Sequence, residues 1–329
     1  MIVFTSGSQQ RVESLLLVIV AAIGAALLAV VVALFWRSPG DSFAYWLAAD
    51  RLAAGHPVYA TGEAAFAPYA YHYTPPLAQV LAPLTLALPA IWYVIGYRIL
   101  EVISVWYLAG RAMLPMLALI AFLPVGLELR FENVHLLMAV AVVLGLARWP
   151  VLFAIAAIVK LSPGLGIVYL MLRRRYRDAM MAIVVGAAIC IASYLVDPGL
   201  WRAFLASIGD RAGITGNSLI AVPYVVRAVV GLAFTAAGGL LGGRRGELLL
   251  IVGITAANPN LALNGFAVLA AAVPIWRAGP DGLMCRARAA APGTSRNAGS
   301  VEGHRVSSGV AAVGRITRRL PRMGSDPRS

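Results

Sequence analysis

The run VLFAIAAIVKLSPGLGIVYLMLRRRYR, Val151 to Arg177, decides the fold. Its apolar part is long enough to cross a bilayer as one helix, for which about 20 residues suffice. Lys160 and Pro163 interrupt it, and it ends in an arginine block. Arginine-rich connectors of membrane proteins stay on the cytoplasmic side, which places the block at 173–177, the pair Arg244 and Arg245, and the basic stretch after Arg277 inside. Walking along the chain from an internal N-terminus, Arg111 falls inside, LELRFEN (127–133) outside and Arg148 inside. The segment 149–172 must then begin and end on the same side. Parity therefore predicts a hairpin with its apex at Lys160 to Pro163, where proline breaks the helix. Each arm has about 10 residues, or about 15 Å, too short to span a core of about 30 Å unless it packs against protein or a wet cavity. The alternative is one straight span with a parity error elsewhere.

Composition agrees with a membrane fold. The 329 residues are 60% hydrophobic and 12% charged, with a mean hydropathy of +0.82; an ordinary soluble domain is roughly a quarter charged. The expected class is an all-α polytopic membrane protein with about 8 to 10 membrane segments, including short hairpin helices. The first is the run Leu15 to Trp36, too long for the apolar part of a cleaved leader. Further apolar runs lie near 89–110, 113–129, 134–147, 149–172, 179–196, 219–242, 247–257 and 261–276. Residues 1–278 form the expected membrane domain, with 37–76 as its first external loop. Residues 279–329, rich in Arg, Ser, Gly and Pro, are expected to be a disordered basic cytoplasmic tail with some attraction to anionic lipids. The net charge of +13 sits between spans and in that tail rather than on one face, which argues against nucleic acid as a partner. The two cysteines, Cys190 and Cys285, are far apart, and no metal-ligand cluster stands out.

The same parity gathers the polar features on one side of the cell membrane. Outside lie the loop 37–76, then Glu128, Arg130, Glu132, Asn133 and His135, then Lys160, then the segment Asp197 to Ser218 and the NPN turn at 258–260. Lys160 is the chain's only lysine, in a sequence that otherwise uses arginine, and it lies inside an apolar run. A charge so placed either snorkels to the headgroups or has a function, and a compact ammonium suits a phosphate at the interface. His135, beside Asn133, is a candidate for the same contact. Asp41, the first acid beyond the first span, reads either as a general base or as the N-cap of a helix starting at Ser42. Tyr69, Tyr71 and Tyr73 before Pro75 and Pro76 read either as an interfacial aromatic belt or as the wall of a sugar or prenyl site.

GDSFAYWLAADRLAAGHPVYA followed by YHYTPP resembles the first external loop of glycosyltransferase family 87. FENVHLLMAVAVVLGLA is similar to that family's G-Q-x-N-x-L-L segment, and AAIVKLSPGLGIVYLMLRRRYRDA to its A-x-x-K-x-x-P segment. The resemblance covers roughly 37–265 and rests on order and spacing. It implies a GT-C class transferase that moves mannose or a related sugar from a polyprenyl-phosphate donor to a lipid or glycan acceptor outside the cytoplasm. One carboxylate is enough for a single inverting displacement, and no metal or cofactor is expected. The resemblance also implies Asp41 as catalytic base. Read from the residues themselves, Lys160, His135 and Arg130 are the candidate donor-phosphate ligands, and Tyr45, Tyr71, Tyr73 and Asn133 the candidate substrate contacts. Two departures stand out: Phe131-Glu132 replaces the usual glycine and glutamine, and Thr74 replaces a small or apolar residue before the prolines. The rival classes are a transporter or lipid flippase, and an inactive, truncated relative; a broken helix at Lys160 would suit the transporter.

Overall fold

The computed structural model describes residues 40–60, 69–211, 222–259 and 261–289. The expected first span, parts of the loop 37–76, the end of the segment Asp197 to Ser218 and the chain beyond Ala289 lie outside them. Among the described residues all regular structure is helical. The helices are α1 (Asp41–Ala53), α2 (Pro75–Thr85), α3 (Ala90–Leu108), α4 (Met113–Ala121), α5 (Leu123–Phe131), α6 (His135–Ala147), α7 (Val151–Val159), α8 (Leu165–Leu172), α9 (Tyr176–Val196), α10 (Pro198–Arg211), α11 (Tyr224–Leu241), α12 (Gly243–Ala256), α13 (Ala272–Arg277) and α14 (Gly282–Ala289). Two 3-10 turns, Ser162–Gly164 and Leu263–Ala271, lead into α8 and α13.

Three of these, α3, α9 and α11, are long and apolar enough to cross a membrane. At 1.5 Å per residue they run about 27 to 32 Å, the thickness of a hydrocarbon core. Their apolar side chains face outward, as Ile99 and Ile103 on α3, Leu195 and Val196 on α9, and Val225 and Val229 on α11 show by their exposure. This is an all-α polytopic membrane protein.

The chain reverses at Lys160. Phe153 is fully buried, and it sits against Gly145 on one side and Gly166 on the other. A straight helix would hold residues 153 and 166 about 20 Å apart. A Cβ on Gly166 would stand 2.0 Å from the Phe153 ring, so only glycine permits the close return of α8 past α7. Lys160 is extended, with φ −147° and ψ 121°, and ends α7. The following Ser162 and Pro163 are buried at the apex.

Two expectations are corrected. The run 113–129 is not one straight span: it bends by 82° between α4 and α5, because Phe122 takes an extended backbone and Pro124 starts a new helix in its first turn. The tail does not begin at Gly279 either, since Gly282–Ala289 forms α14. There the buried Glu247 of α12 accepts the Leu283 and Met284 backbone N–H groups at 2.8 and 2.9 Å, satisfying two free donors of the helix N-terminus.

The antiparallel pair α11 and α12 packs through glycines at two levels, Gly231 against Gly253 and Gly238 against Gly246. Small residues allow this backbone approach, the usual device of helix pairs in lipid. Register then brings the start of α11 beside the end of α12, so Arg227 reaches the turn at Asn258.

Candidate functional site

The site forms where five segments meet: the start of α1, the extended stretch before α2, the turn between α5 and α6, the Lys160 apex, and the NPN turn. At its centre is Asn133, buried at the mouth of α6. Its Nδ2 donates to Asp41 Oδ2. Its Oδ1 accepts the Val134 N–H at 2.8 Å and the Tyr73 hydroxyl at 3.2 Å, with the Lys160 ammonium at 3.5 Å. Its backbone carbonyl accepts the Tyr97 hydroxyl at 2.8 Å. One amide side chain thus joins a carboxylate to an ammonium, and the surrounding phenols fix its orientation.

Asp41 begins α1, outside the long spans. The N-cap position belongs to Gly40, and no side chain of α1 caps it. Glu132 does so instead, accepting the Gly40 N–H at 3.3 Å and the Ser42 hydroxyl. Asp41 is therefore not the N-cap that the GDS sequence suggested. Burial pushes the Asp41 carboxyl up to about 6, with Lys160 and the Asn133 bond pulling it down against the nearby Glu128 and Glu132.

Glu132 itself takes the left-handed conformation, with φ 54°, at the end of α5. This costs about 1 to 2 kcal/mol for a residue other than glycine. Its bonds to α1 and to Arg98, at 2.6 Å from both Nε and Nη2, hold it there. The Phe131-Glu132 departure thus belongs to the joint that seats Asp41. The joint is tight, because a Cβ on Gly40 would meet the Phe131 carbonyl oxygen at 2.3 Å.

Lys160 Nζ stands 2.6 Å from His135 Nε2, and His135 Nδ1 lies 2.9 Å from Glu128 Oε2. Glu128 also accepts the His135 backbone N–H at 2.5 Å and the Asn264 amide at 2.9 Å. Thr74, the second departure, donates its hydroxyl to the Ile158 carbonyl two residues before Lys160, tying the YHYTPP stretch to the lysine turn.

The residues expected from sequence divide into groups. Asp41, Asn133, His135, Lys160 and Tyr73 form one continuous network. Tyr45 joins it through its hydroxyl, 2.9 Å from that of Tyr73. Tyr71 is buried one step away, donating to the Thr74 carbonyl at 3.0 Å and tilted against Tyr59 and Tyr73 at ring separations of 5.6 and 5.7 Å. Arg130 is half-buried in the last turn of α5. Sequence reasoning gave no role to Arg98, Asn258, Asn264 or Arg227; their pairing spans 31 to 136 positions and leaves no local pattern. For Asn258 the NPN punctuation was the available sign.

Beneath Tyr45 and Tyr97 an apolar groove of about 510 Å³ opens between α2, α3, α6 and α7. Leu77, Leu81, Trp92, Leu137, Met138 and Ile155 contribute to its walls. Its polar end is the tyrosine cluster adjoining Asn133.

Searches of curated proteins and of solved structures found no match to the chain. The sequence profile of Glycosyltransferase family 87 matches residues 71–291. The matched region includes Tyr71, Tyr73, Asn133, His135 and Lys160, while Asp41 precedes it. Spanning more than half of the chain and the whole helical scaffold from α2 to α14, this match makes the protein a member of glycosyltransferase family 87.

Proposed function

We propose that the protein transfers a hexose, mannose by the family resemblance, from a polyprenyl-phosphate donor to a hydroxyl of a lipid or glycan acceptor, with inversion, at the extracytoplasmic face of the cell membrane. The observation that carries this is the Asp41–Asn133–Lys160 bridge, a carboxylate and an ammonium held by one amide beside an apolar groove.

In this mechanism the lipid tail lies in the groove and its phosphate faces Lys160 and His135. The acceptor oxygen attacks the anomeric carbon as its proton passes to an Asp41 oxygen. The bond from that carbon to the phosphate oxygen breaks with its electron pair, and the lipid phosphate departs. Positive charge from Lys160 stabilises the leaving group. A single inverting displacement needs one base, and a carboxyl raised to about 6 is basic yet ionised at neutral pH. Arg130, in the last turn of α5, is proposed as a further ligand of the donor phosphate.

The orientation is supported by the opposite end of the bundle. There Arg173 donates to the Gly239 carbonyl at 3.2 Å, Arg244 stacks 4.1 Å over Trp276, and Arg277 donates to the Ala109 carbonyl at 2.5 Å. Arginines gathered at that end are what the cytoplasmic side of a membrane protein commonly carries, which supports an extracytoplasmic site.

The test is chemistry in isolated membranes containing the full chain, supplied with a radiolabelled polyprenyl-phosphate hexose. A new glycosidic product, absent from membranes of the Lys160→Met variant, supports the proposal. Movement of the labelled lipid between leaflets without a new bond would replace it with a flippase.

A further inference from the structure

The junction of His135, Lys160 and Asn258 has more hydrogen-bond donors than acceptors. His135 Nδ1 faces the Glu128 carboxylate, which already accepts the His135 backbone N–H and Asn264, so Nδ1 carries the ring proton. Nε2 then offers one lone pair. Two donors converge on it, Lys160 Nζ at 2.6 Å and Asn258 Nδ2 at 2.9 Å. Asn258 is buried, and its Oδ1 has no partner.

Its backbone, by contrast, is firmly held. Arg227, itself buried, donates to the carbonyls of Asn258 at 2.6 Å, Pro259 at 2.8 Å and Val222 at 3.1 Å. A guanidinium committed to three carbonyls fixes where the Asn258 side chain begins. One donor at Nε2 is redundant, and it is the mobile one, the ammonium on its flexible stem, that can leave.

We propose that Asn258 is a positioning residue that holds the His135 imidazole as the Nδ1–H tautomer, so that Lys160 is free to turn its ammonium to an anionic ligand. When Lys160 leaves, Asn258 keeps the Nε2 lone pair occupied and the ring stays on Glu128. The buried amide orients the ring much as outer partners fix tautomers of functional histidines elsewhere. The value of this arrangement to a phosphate site rests on the function proposed above; the tautomer itself does not.

The test reads ring nitrogen shifts in full-length, 15N-histidine-labelled protein in lipid nanodiscs without substrate. The His135 signals are identified by their loss in His135→Gln. In Lys160→Met, a nearly isosteric change, only Asn258 remains to donate, and Nε2 is expected to keep the downfield shift of an unprotonated nitrogen. In Lys160→Met/Asn258→Asp the amide donor becomes an acceptor, and Nε2 is expected to gain a proton and move upfield. A mixture of tautomers in Lys160→Met, or an unprotonated Nε2 in the double variant, would overturn the inference. Neither result depends on sugar transfer, so an inactive protein that passes this test would count against the proposed reaction and leave the positioning role standing.

Discussion

Replacing Asp41 by Asn separates basicity from architecture, because the structure has already separated them. The start of α1 is held by Glu132 through Gly40 and Ser42, so removing the Asp41 charge leaves that joint in place. The amide oxygen of the substituted side chain can still accept from Asn133 Nδ2, so the bridge keeps its shape. What is lost is the proposed proton acceptor. General-base catalysis contributes roughly 10²- to 10⁴-fold, equivalent to about 3 to 5 kcal/mol of barrier. Sugar transfer should fall by that factor, mainly in kcat, with expression and KM for the polyprenyl-phosphate donor near wild type. The pH profile supplies a second readout. Burial raises the Asp41 carboxyl to about 6, so below that pH the base is protonated and inactive. Wild-type kcat/KM should climb as pH rises through about 6 and level off above it, and Asp41→Asn should lose that acidic limb. The assay is initial-rate transfer in detergent or nanodiscs across the acid to neutral range. Near-wild-type transfer by Asp41→Asn, or an unchanged acidic limb in its residual activity, would remove Asp41 from the mechanism.

Two further predictions concern architecture. The apex at Lys160 is expected to face the extracytoplasmic side, and Leu161, 64% exposed, is the reporter to use; the neighbouring Ser162 is only 3% exposed and would be shielded. Leu161→Cys, in a chain lacking Cys190 and Cys285, should react with an impermeant thiol reagent added outside, and labelling only from the cytoplasmic side would reverse the orientation. Truncation after Ala289 should leave thermal stability in detergent near that of the full chain, whereas truncation before Gly282 should lower it. The second cut strips two backbone donors from the buried Glu247, a loss of about 1 to 3 kcal/mol or more for a charged acceptor; equal melting of both truncations would refute the capping role.

Local chemistry made the class legible. Long apolar runs report a lipid environment because each residue's transfer free energy adds independently of its neighbours. The reversal at Lys160 was legible too, since arginine parity demanded an even crossing and Lys160-Leu161-Ser162-Pro163 offered the break. The polar residues on one face, Asp41, Asn133, His135 and Lys160, were collected by the same counting. Other features came only from packing. The 82° bend at Phe122 sits in a run whose hydropathy reads as one span, because hydropathy is insensitive to direction. Glu132 read as a departure from a motif until Arg98 and the start of α1 were seen against it, 34 and 90 positions away. Asn258 reaches His135 across 123 positions because glycines let α11 and α12 touch and Arg227 clamps the turn that follows α12. Hydrogen bonds are short-ranged and directional, so which polar groups share a proton is decided by the last ångström of helix placement, and that is a property of the assembled bundle rather than of any segment within it.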